Sequence, residues 1–230
     1  MFPFYFDPTF LILLPAILLA FYAQGKVKRV FEQYIKEQNT SGLTGMEIAE
    51  RLLTIYGLDD VKVKENQHGS DYYNPKDKTV NLSSVVYRAS TITSIGVTAH
   101  EIGHALQHDE GYIFLNLRNA LVPVTKFGSM LAFPLLFLGI LLSLPQLVQI
   151  GILAFTAIVV FQLITLPVEF NASKRAVMIL ETNGLIKPYE FKAVDSVLKA
   201  AALTYVAAAL MAISNLFRFF LLAGMGNNRK

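Results

Sequence analysis

The 230-residue sequence contains no cysteine, and charged residues make up only 16% of it. Without cysteine there are no disulfide bonds and no thiolate ligands, so any bound metal ion must be held by nitrogen and oxygen atoms. Soluble domains carry about a quarter charged residues, so this chain has little polar surface for a protein in water. The formal net charge of +3 is too small to indicate a nucleic-acid partner, and no basic-aromatic pattern supports one.

Four long apolar stretches account for the scarcity of charge. They cover residues 2–24, 127–144, 145–168 and 200–222. Each approaches the length of about 20 residues that a helix needs to cross a bilayer. The fourth contains Arg218, which would have to snorkel, pair or face the protein interior, so whether this stretch fully spans stays open. The sequence therefore predicts a mainly α-helical, multi-pass membrane protein.

Basic residues beside these stretches indicate the orientation of the chain. A basic cluster from Lys26 to Arg29 follows the first stretch, which has no basic residue before it and no cleavage site, so it is not an obvious secretory signal. By the positive-inside rule, the N-terminus lies outside and the chain enters the cytoplasm after residue 24. A hairpin of the second and third spans then returns the chain to the cytoplasm near Glu169. Arg229 and Lys230 would lie outside if the fourth stretch spans.

The most informative motif is His-Glu-x-x-His at residues 100–104. On a helix, residues i and i+4 lie one above the other, so His100 and His104 can bind a single zinc ion. Glu101, on the adjacent flank, can hold and deprotonate a water at that ion. The motif thus predicts a metal-dependent hydrolytic site.

The helix that carries this motif is predicted to begin near Thr91 or Thr93 and to run to His108, with Gly111 ending it. A buried face is indicated by apolar residues at spacings of three and four, namely Ile92, Ile95, Ala99, Ile102 and Leu106. Gly103 costs about 1 kcal/mol relative to alanine in a helix interior. Its presence predicts the close approach of another backbone beneath the metal.

A capped helix and two strands are predicted before the motif. Thr44 and Glu47 form a capping box that opens an amphipathic helix through Ile55. Residues 60–65 and 79–82 alternate apolar and polar side chains, which is typical of short, half-buried strands. A hairpin of these two strands could offer an edge to an extended peptide substrate.

A catalytic zinc site takes three protein ligands and leaves one position for water. His108 lies eight residues from His100, about 12 Å along a straight helix, which is too far to share one ion. Gln107 and Glu110 stand where a metzincin has glycine and histidine. Glu169, which is predicted to start a helix after the third span, fits best as the third ligand. Its alternative role is a carboxylate that stabilises a helix N-terminus.

Three separated motifs carry a family resemblance. They are Thr-Ala-His-Glu-Ile-Gly-His-Ala-Leu-Gln-His at 98–108, Ser-Asp-Tyr-Tyr-Asn-Pro at 70–75 with Leu-Ser at 82–83, and Pro-Val-Glu-Phe-Asn-Ala-Ser-Lys-Arg-Ala at 167–176. Together they resemble the YugP-like bacterial membrane zinc metallopeptidases, which are distantly similar to the HtpX and CAAX-prenyl-protease types. The resemblance covers nearly the whole chain. It implies His100, His104 and Glu169 as ligands of one zinc ion per chain and Glu101 as the catalytic acid and base.

The chain departs from the pattern of these families at two places. HtpX-type enzymes usually have Glu-x-x-x-Asp at the last motif, and the orienting role of that aspartate could pass here to Ser173 or Asn171. The upstream segment in the family often reads Asp-His-Tyr-Asp-Pro, whereas this chain lacks the histidine. Tyr72, Tyr73 or His68 could replace it as the donor that stabilises the transition state.

The predicted function is that of a zinc-dependent metalloendopeptidase, gluzincin-like because His-Glu-x-x-His is completed by a glutamate. It would reside in the bacterial plasma membrane with its active site on the cytoplasmic side, and hydrolyse peptide bonds of membrane-associated proteins. Two alternatives stay open: a non-catalytic, zinc-binding membrane scaffold that regulates a partner complex, and a hydrolase of a non-peptide substrate. The sequence gives no indication of the oligomeric state.

The predicted fold is a multi-pass membrane protein with a zincin-like catalytic region at the membrane surface, consisting of the motif-bearing helix and a small β-hairpin or sheet. Its parts are transmembrane helix 1 (1–24), the cytoplasmic zincin-like region (25–118), a transmembrane hairpin (119–168), a third-ligand helix with a cytoplasmic segment (169–199), and transmembrane helix 4 with the tail (200–230).

Overall fold

A computed structural model describes residues 8–227 of the chain. The helices are α1 (Leu14–Tyr34), α2 (Gly45–Ile55), α3 (Ser84–Arg88), α4 (Ile92–Asp109), α5 (Ile113–Leu141), α6 (Pro145–Thr182) and α7 (Phe191–Asn227); the strands are β1 (Lys62–Asn66), β2 (Tyr72–Asn74) and β3 (Thr79–Ser83). A 3₁₀ turn over Pro8–Leu13 leads into α1. Residues 2–7 of the first apolar stretch, and Arg229 and Lys230 of the tail, lie outside the described residues.

Within the described part of the chain, four helical segments are long and apolar enough to cross a membrane. They are Pro8–Tyr34, Ile113–Leu141, Pro145–Thr182 and Phe191–Gly224. The mainly helical character expected from the sequence is therefore confirmed, and the four candidate spans support the expected membrane association by their length and composition.

The predicted helix start at Glu169 is wrong, because α6 continues through this position to Thr182. Pro167 lies inside α6. A proline removes one backbone hydrogen bond from a helix, but α6 remains helical on both sides of Pro167. Glu169 thus lies far from either end of its helix, which also rules out its alternative role at a helix N-terminus.

The chain divides into two compact units, the first of which combines the described residues up to 22, residues 117–166 and the residues from 204 onward. Its core contains three edge-to-face aromatic rings, with centroids 4.9 Å apart for Phe155 and Phe219 and 5.8 Å apart for Phe133 and Phe155. Arg218 is paired in this unit. Its Nε donates to Thr9 Oγ1 at 3.1 Å, and its guanidinium carbon lies 4.0 Å from the centre of the Phe10 ring.

The second unit consists of residues 23–116 and 167–203 and is built around α4. The face of α4 predicted to be buried is buried, and it packs against α2, the sheet and the residues that α6 and α7 contribute to this unit. The capping box of α2 is present as predicted: Thr44 Oγ1 accepts from the backbone N–H of Glu47, and the Glu47 carboxylate accepts from that of Thr44. Thr91 caps α4 by accepting from Ser94 N–H at 3.2 Å.

The three strands form a sheet in the order β1-β3-β2. Because β1 pairs parallel to β3, the predicted hairpin of residues 60–65 with 79–82 is wrong. The antiparallel partner of β3 is instead β2, which lies within the turn-rich connector and is joined to β3 by a tight turn. The connector is long enough for the crossover that a parallel pair requires, and β2 takes an edge position in the sheet.

Candidate metal centre

Three predicted ligands converge within the second unit. Glu169 Oε2 lies 3.3 Å from His100 Nε2 and 3.6 Å from His104 Nε2, and one ligand atom from each residue lies within 4.8 Å of the others. Glu169 is only 3% exposed and His104 only 8%. The distances between these donor atoms fit an ion that would lie between them.

The backbones of α4 and α6 approach closely enough at Gly103 to bring these side chains together. A methyl group at position 103 would lie 2.7 Å from the carbonyl oxygen of Ala172, closer than real Cβ atoms come to backbone. The predicted close approach of a second backbone is therefore confirmed, and α6 supplies it. Gly103 lies between His100 and His104 on α4, and Ala172 lies about one turn beyond Glu169 on α6, so this contact sets the position of the carboxylate along the helix relative to the two imidazoles.

The hydrogen bonds of the two imidazoles leave their Nε2 atoms available to a metal. His104 Nδ1 lies 3.0 Å from Gln107 Oε1, and His100 Nδ1 lies 3.2 Å from Ser173 Oγ. Because a carboxamide oxygen can only accept, His104 Nδ1 carries the proton and its Nε2 presents a lone pair. Ser173 thereby contacts His100 in the place where an HtpX-type enzyme has aspartate.

One atom of the site lacks the partner that its burial requires. Glu169 Oε2 is buried and accepts no hydrogen bond from any residue that the structure describes. Leaving a buried acceptor unsatisfied costs about 1–3 kcal/mol, and more for a charged group. A divalent cation between the carboxylate and the two imidazoles would satisfy it, and two nitrogens with one carboxylate oxygen are a ligand set suited to zinc.

Glu101 lies on the adjacent flank of α4 and is held by the sheet. It is 6% exposed, and its Oε2 accepts from the backbone N–H of Tyr73 at 2.8 Å. This hydrogen bond comes from β2, an edge strand, so the strand orients the carboxylate while its other oxygen stays available for chemistry.

The side chain of Tyr73 is engaged away from the three ligands. Its hydroxyl lies 2.8 Å from His108 Nδ1, and burial raises the pKa of Tyr73 to about 12. The hydroxyl is therefore protonated at any physiological pH. His108 is thus a partner of Tyr73 and, as expected from its distance along the helix, is not among the three converging ligands.

The other two predicted donors lie in exposed positions. Tyr72 is 44% exposed, and its side chain projects from the face of β2 opposite to Tyr73, because successive residues of a strand alternate in direction. His68 lies in the turn after β1, where its backbone N–H donates to Asn66 Oδ1 at 3.1 Å. Among the described residues, neither donates to a ligand or to Glu101, so their role in the transition state stays a prediction.

Sequence reasoning missed Gln107 as a residue of the site. It is fully buried, and it contacts His104 through its oxygen and α6 through its nitrogen. A signal was present: a neutral polar residue three positions after a predicted ligand, in the buried part of the helix, can reach the ligand's second nitrogen.

Comparison with known proteins identifies the family of the chain. A family model described as "putative neutral zinc metallopeptidase" matches residues 9–224. The chain is also 51% identical over 210 residues to a protein of Bacillus subtilis (strain 168) named "Putative membrane protease YugP", and the match covers 90% of this chain and 92% of that protein. No solved structure matches the chain. The resemblance inferred from the three motifs is thereby confirmed, and the chain belongs to this family of zinc metallopeptidases.

Proposed function

We propose that this protein is a membrane-embedded, gluzincin-like zinc metalloendopeptidase that cleaves membrane-associated proteins. The observation that carries the proposal is the convergence of two imidazoles and a buried, unsatisfied carboxylate beside Glu101. Membership of a zinc metallopeptidase family, a relative named as a membrane protease and four apolar helices support it. One zinc ion per chain follows from the three ligands.

The proposed chemistry divides the work between the metal and one carboxylate. When bound, zinc would lower the pKa of a water toward about 7 and polarise the scissile carbonyl. Glu101 takes a proton from the attacking water as the C–O bond forms, and it gives this proton to the amine as the C–N bond breaks. The Tyr73 N–H keeps the Glu101 carboxylate oriented in both steps.

The position of the third ligand in the sequence supports the proposal that the substrates are membrane-associated. Glu169 comes directly after an apolar run of more than 20 residues within α6. A ligand so near the end of a predicted span favours substrates that lie in or beside the lipid. We propose that the site lies on the cytoplasmic side of the bacterial plasma membrane, because basic residues of the second unit follow the first and third predicted spans.

Metal removal tests the function. Purified protein stripped with a zinc chelator should lose cleavage of an unstructured polypeptide to the level of a protein-free blank, and stoichiometric zinc should restore it. The measurement is the appearance of new polypeptide ends, with magnesium added to a parallel stripped sample as the control. Full zinc occupancy without cleavage of soluble or membrane-anchored polypeptides would favour the scaffold alternative instead.

The absence of cysteine allows a clean test of orientation, since any introduced cysteine is the sole label site. Lys187→Cys, at an exposed position of the second unit, should react with a membrane-impermeant maleimide only in inside-out vesicles. Ser143→Cys, in the exposed turn between α5 and α6, should react only in intact cells. The reverse pattern would contradict a cytoplasmic site.

A further inference from the structure

A continuous chain of hydrogen bonds leads from one ligand to the surface. The Gln107 side chain accepts from His104 Nδ1–H at 3.0 Å and uses both protons of its amide nitrogen. It donates one to the carbonyl of Val168 at 2.8 Å and the other to Asn171 Oδ1 at 2.9 Å. Since a carbonyl can only accept, the bond to Val168 fixes which end of the carboxamide faces the imidazole.

The outer half of the chain is an ion pair between the two helices. Asn171 Oδ1 also accepts from Arg175 Nε at 2.8 Å. The two terminal nitrogens of Arg175 donate to the two oxygens of Glu110, each at 2.6 Å, which is the paired geometry that restrains both groups most. This contact lowers the pKa of Glu110, so the pair stays charged at neutral pH. Arg175 therefore fixes Asn171, and Asn171 fixes Gln107.

A carboxamide side chain at the buried position 107 is energetically unfavourable compared with an apolar one. Burying it costs free energy unless every polar atom is paired, and a leucine would pack there without that requirement. All of its hydrogen-bonding groups point either to His104 or to the atoms that hold it in place. The hydrogen bond to the His104 imidazole thus explains why this buried position is polar.

We propose that Gln107 is a positioning residue for zinc binding. It holds His104 in the tautomer and ring orientation that present Nε2 to the ion, and Asn171, Arg175 and Glu110 hold Gln107. The inference rests on the zinc site of the proposed function, but it concerns metal affinity and does not require peptidase activity. A protein that binds zinc and cleaves nothing would contradict the proposed function and leave this inference standing.

The first test compares zinc affinities measured by competition with a chromogenic chelator. Gln107→Leu removes the acceptor and should weaken zinc binding roughly 10- to 100-fold, as loss of a hydrogen-bond partner behind a ligand does. Gln107→Glu keeps an acceptor for Nδ1–H but loses both donors to α6, and it should bind zinc within a few-fold of wild type. Gln33→Leu, the same change at an exposed position of α1, is the matched control and should leave affinity unchanged.

A purely structural role would give a different pattern. If Gln107 only ties α4 to α6, the glutamate variant should lose as much zinc affinity as the leucine variant, because both lose the donors. That result, or an unchanged affinity in Gln107→Leu, would overturn the proposal. Melting curves of the zinc-free proteins show whether each variant is folded.

A second readout observes the hydrogen bond itself. In the zinc-loaded protein, the Nδ1–H proton of His104 should give a protected downfield NMR signal in wild type and in Gln107→Glu, and should exchange rapidly in Gln107→Leu. The chain has four histidines, so single replacements can assign the signal. If Gln107→Leu does not fold, Arg175→Met tests the outer part of the chain: zinc affinity should fall a few-fold, and an unchanged value would overturn the proposal.

Discussion

Replacing Glu101 with glutamine should slow peptide cleavage by a factor of roughly 10² to 10⁴, the usual contribution of a positioned general base, without removing zinc. The substitution keeps the size of the side chain, and the amide oxygen can still accept from the Tyr73 N–H that now lies 2.8 Å from the carboxylate. An amide cannot take a proton from water, however. The loss should therefore appear in kcat, with the fold and the metal intact.

The measurement pairs cleavage rates with zinc content for each protein. Glu50→Gln, the same change at an exposed position of α2, is the control and should match wild type in both. A Glu101→Gln variant that cuts as fast as the parent would refute the mechanism. A variant that lost its zinc would show that Glu101 holds the metal and is not the base.

The part of the site that lies on one helix could be predicted from the sequence. The spacing of four residues between His100 and His104 fixes their relation as soon as the segment is helical, so no knowledge of distant contacts is needed. Gly103 allowed one long-range inference, because a glycine in a helix interior costs stability and is best explained by a neighbour. That neighbour is the backbone of Ala172.

Elements whose form depends on distant partners could not be predicted. The three residues of β2 are too few to show an alternating pattern, and they lie among turn formers such as Gly69 and Pro75. Without β2, an antiparallel hairpin was the natural way to pair the two strands that were visible in the sequence. The end of the third apolar stretch at Pro167 and Val168 similarly indicated that a new helix starts at Glu169. Instead α6 continues, and its second half packs in the second unit.

The partners of Gln107 illustrate the same limit within the site. A buried glutamine must find hydrogen-bond partners, and this requirement can be stated from the sequence alone. Its partners on α6 lie 61 and 64 positions away, however, and nothing in the sequence pairs them with it. Only the crossing of α4 and α6 at Gly103 brings them into reach.

Replacing Glu169 with glutamine should weaken zinc binding by more than about 100-fold. Loss of a residue that only hydrogen-bonds to a metal ligand weakens binding by up to about 100-fold, and loss of a ligand itself should cost more. The change removes the only anionic ligand and leaves a neutral amide facing the two Nε2 atoms at 3.3 and 3.6 Å. Because a ligand stabilises the folded state in proportion to RT ln(1 + [L]/Kd), the loss should also appear as a smaller rise of Tm on adding zinc.

Glu181→Gln provides the matched control for this prediction, since it makes the same change at an exposed position of the same helix. It should keep full zinc content and the full zinc-dependent rise of Tm. Comparing the metal-free melting temperatures separates misfolding from ligand loss, because the zinc-dependent rise of Tm is measured from the metal-free value of each protein. The prediction would be contradicted if Glu169→Gln bound zinc with wild-type affinity while His100→Ala bound none. That result would mean that another carboxylate completes the site.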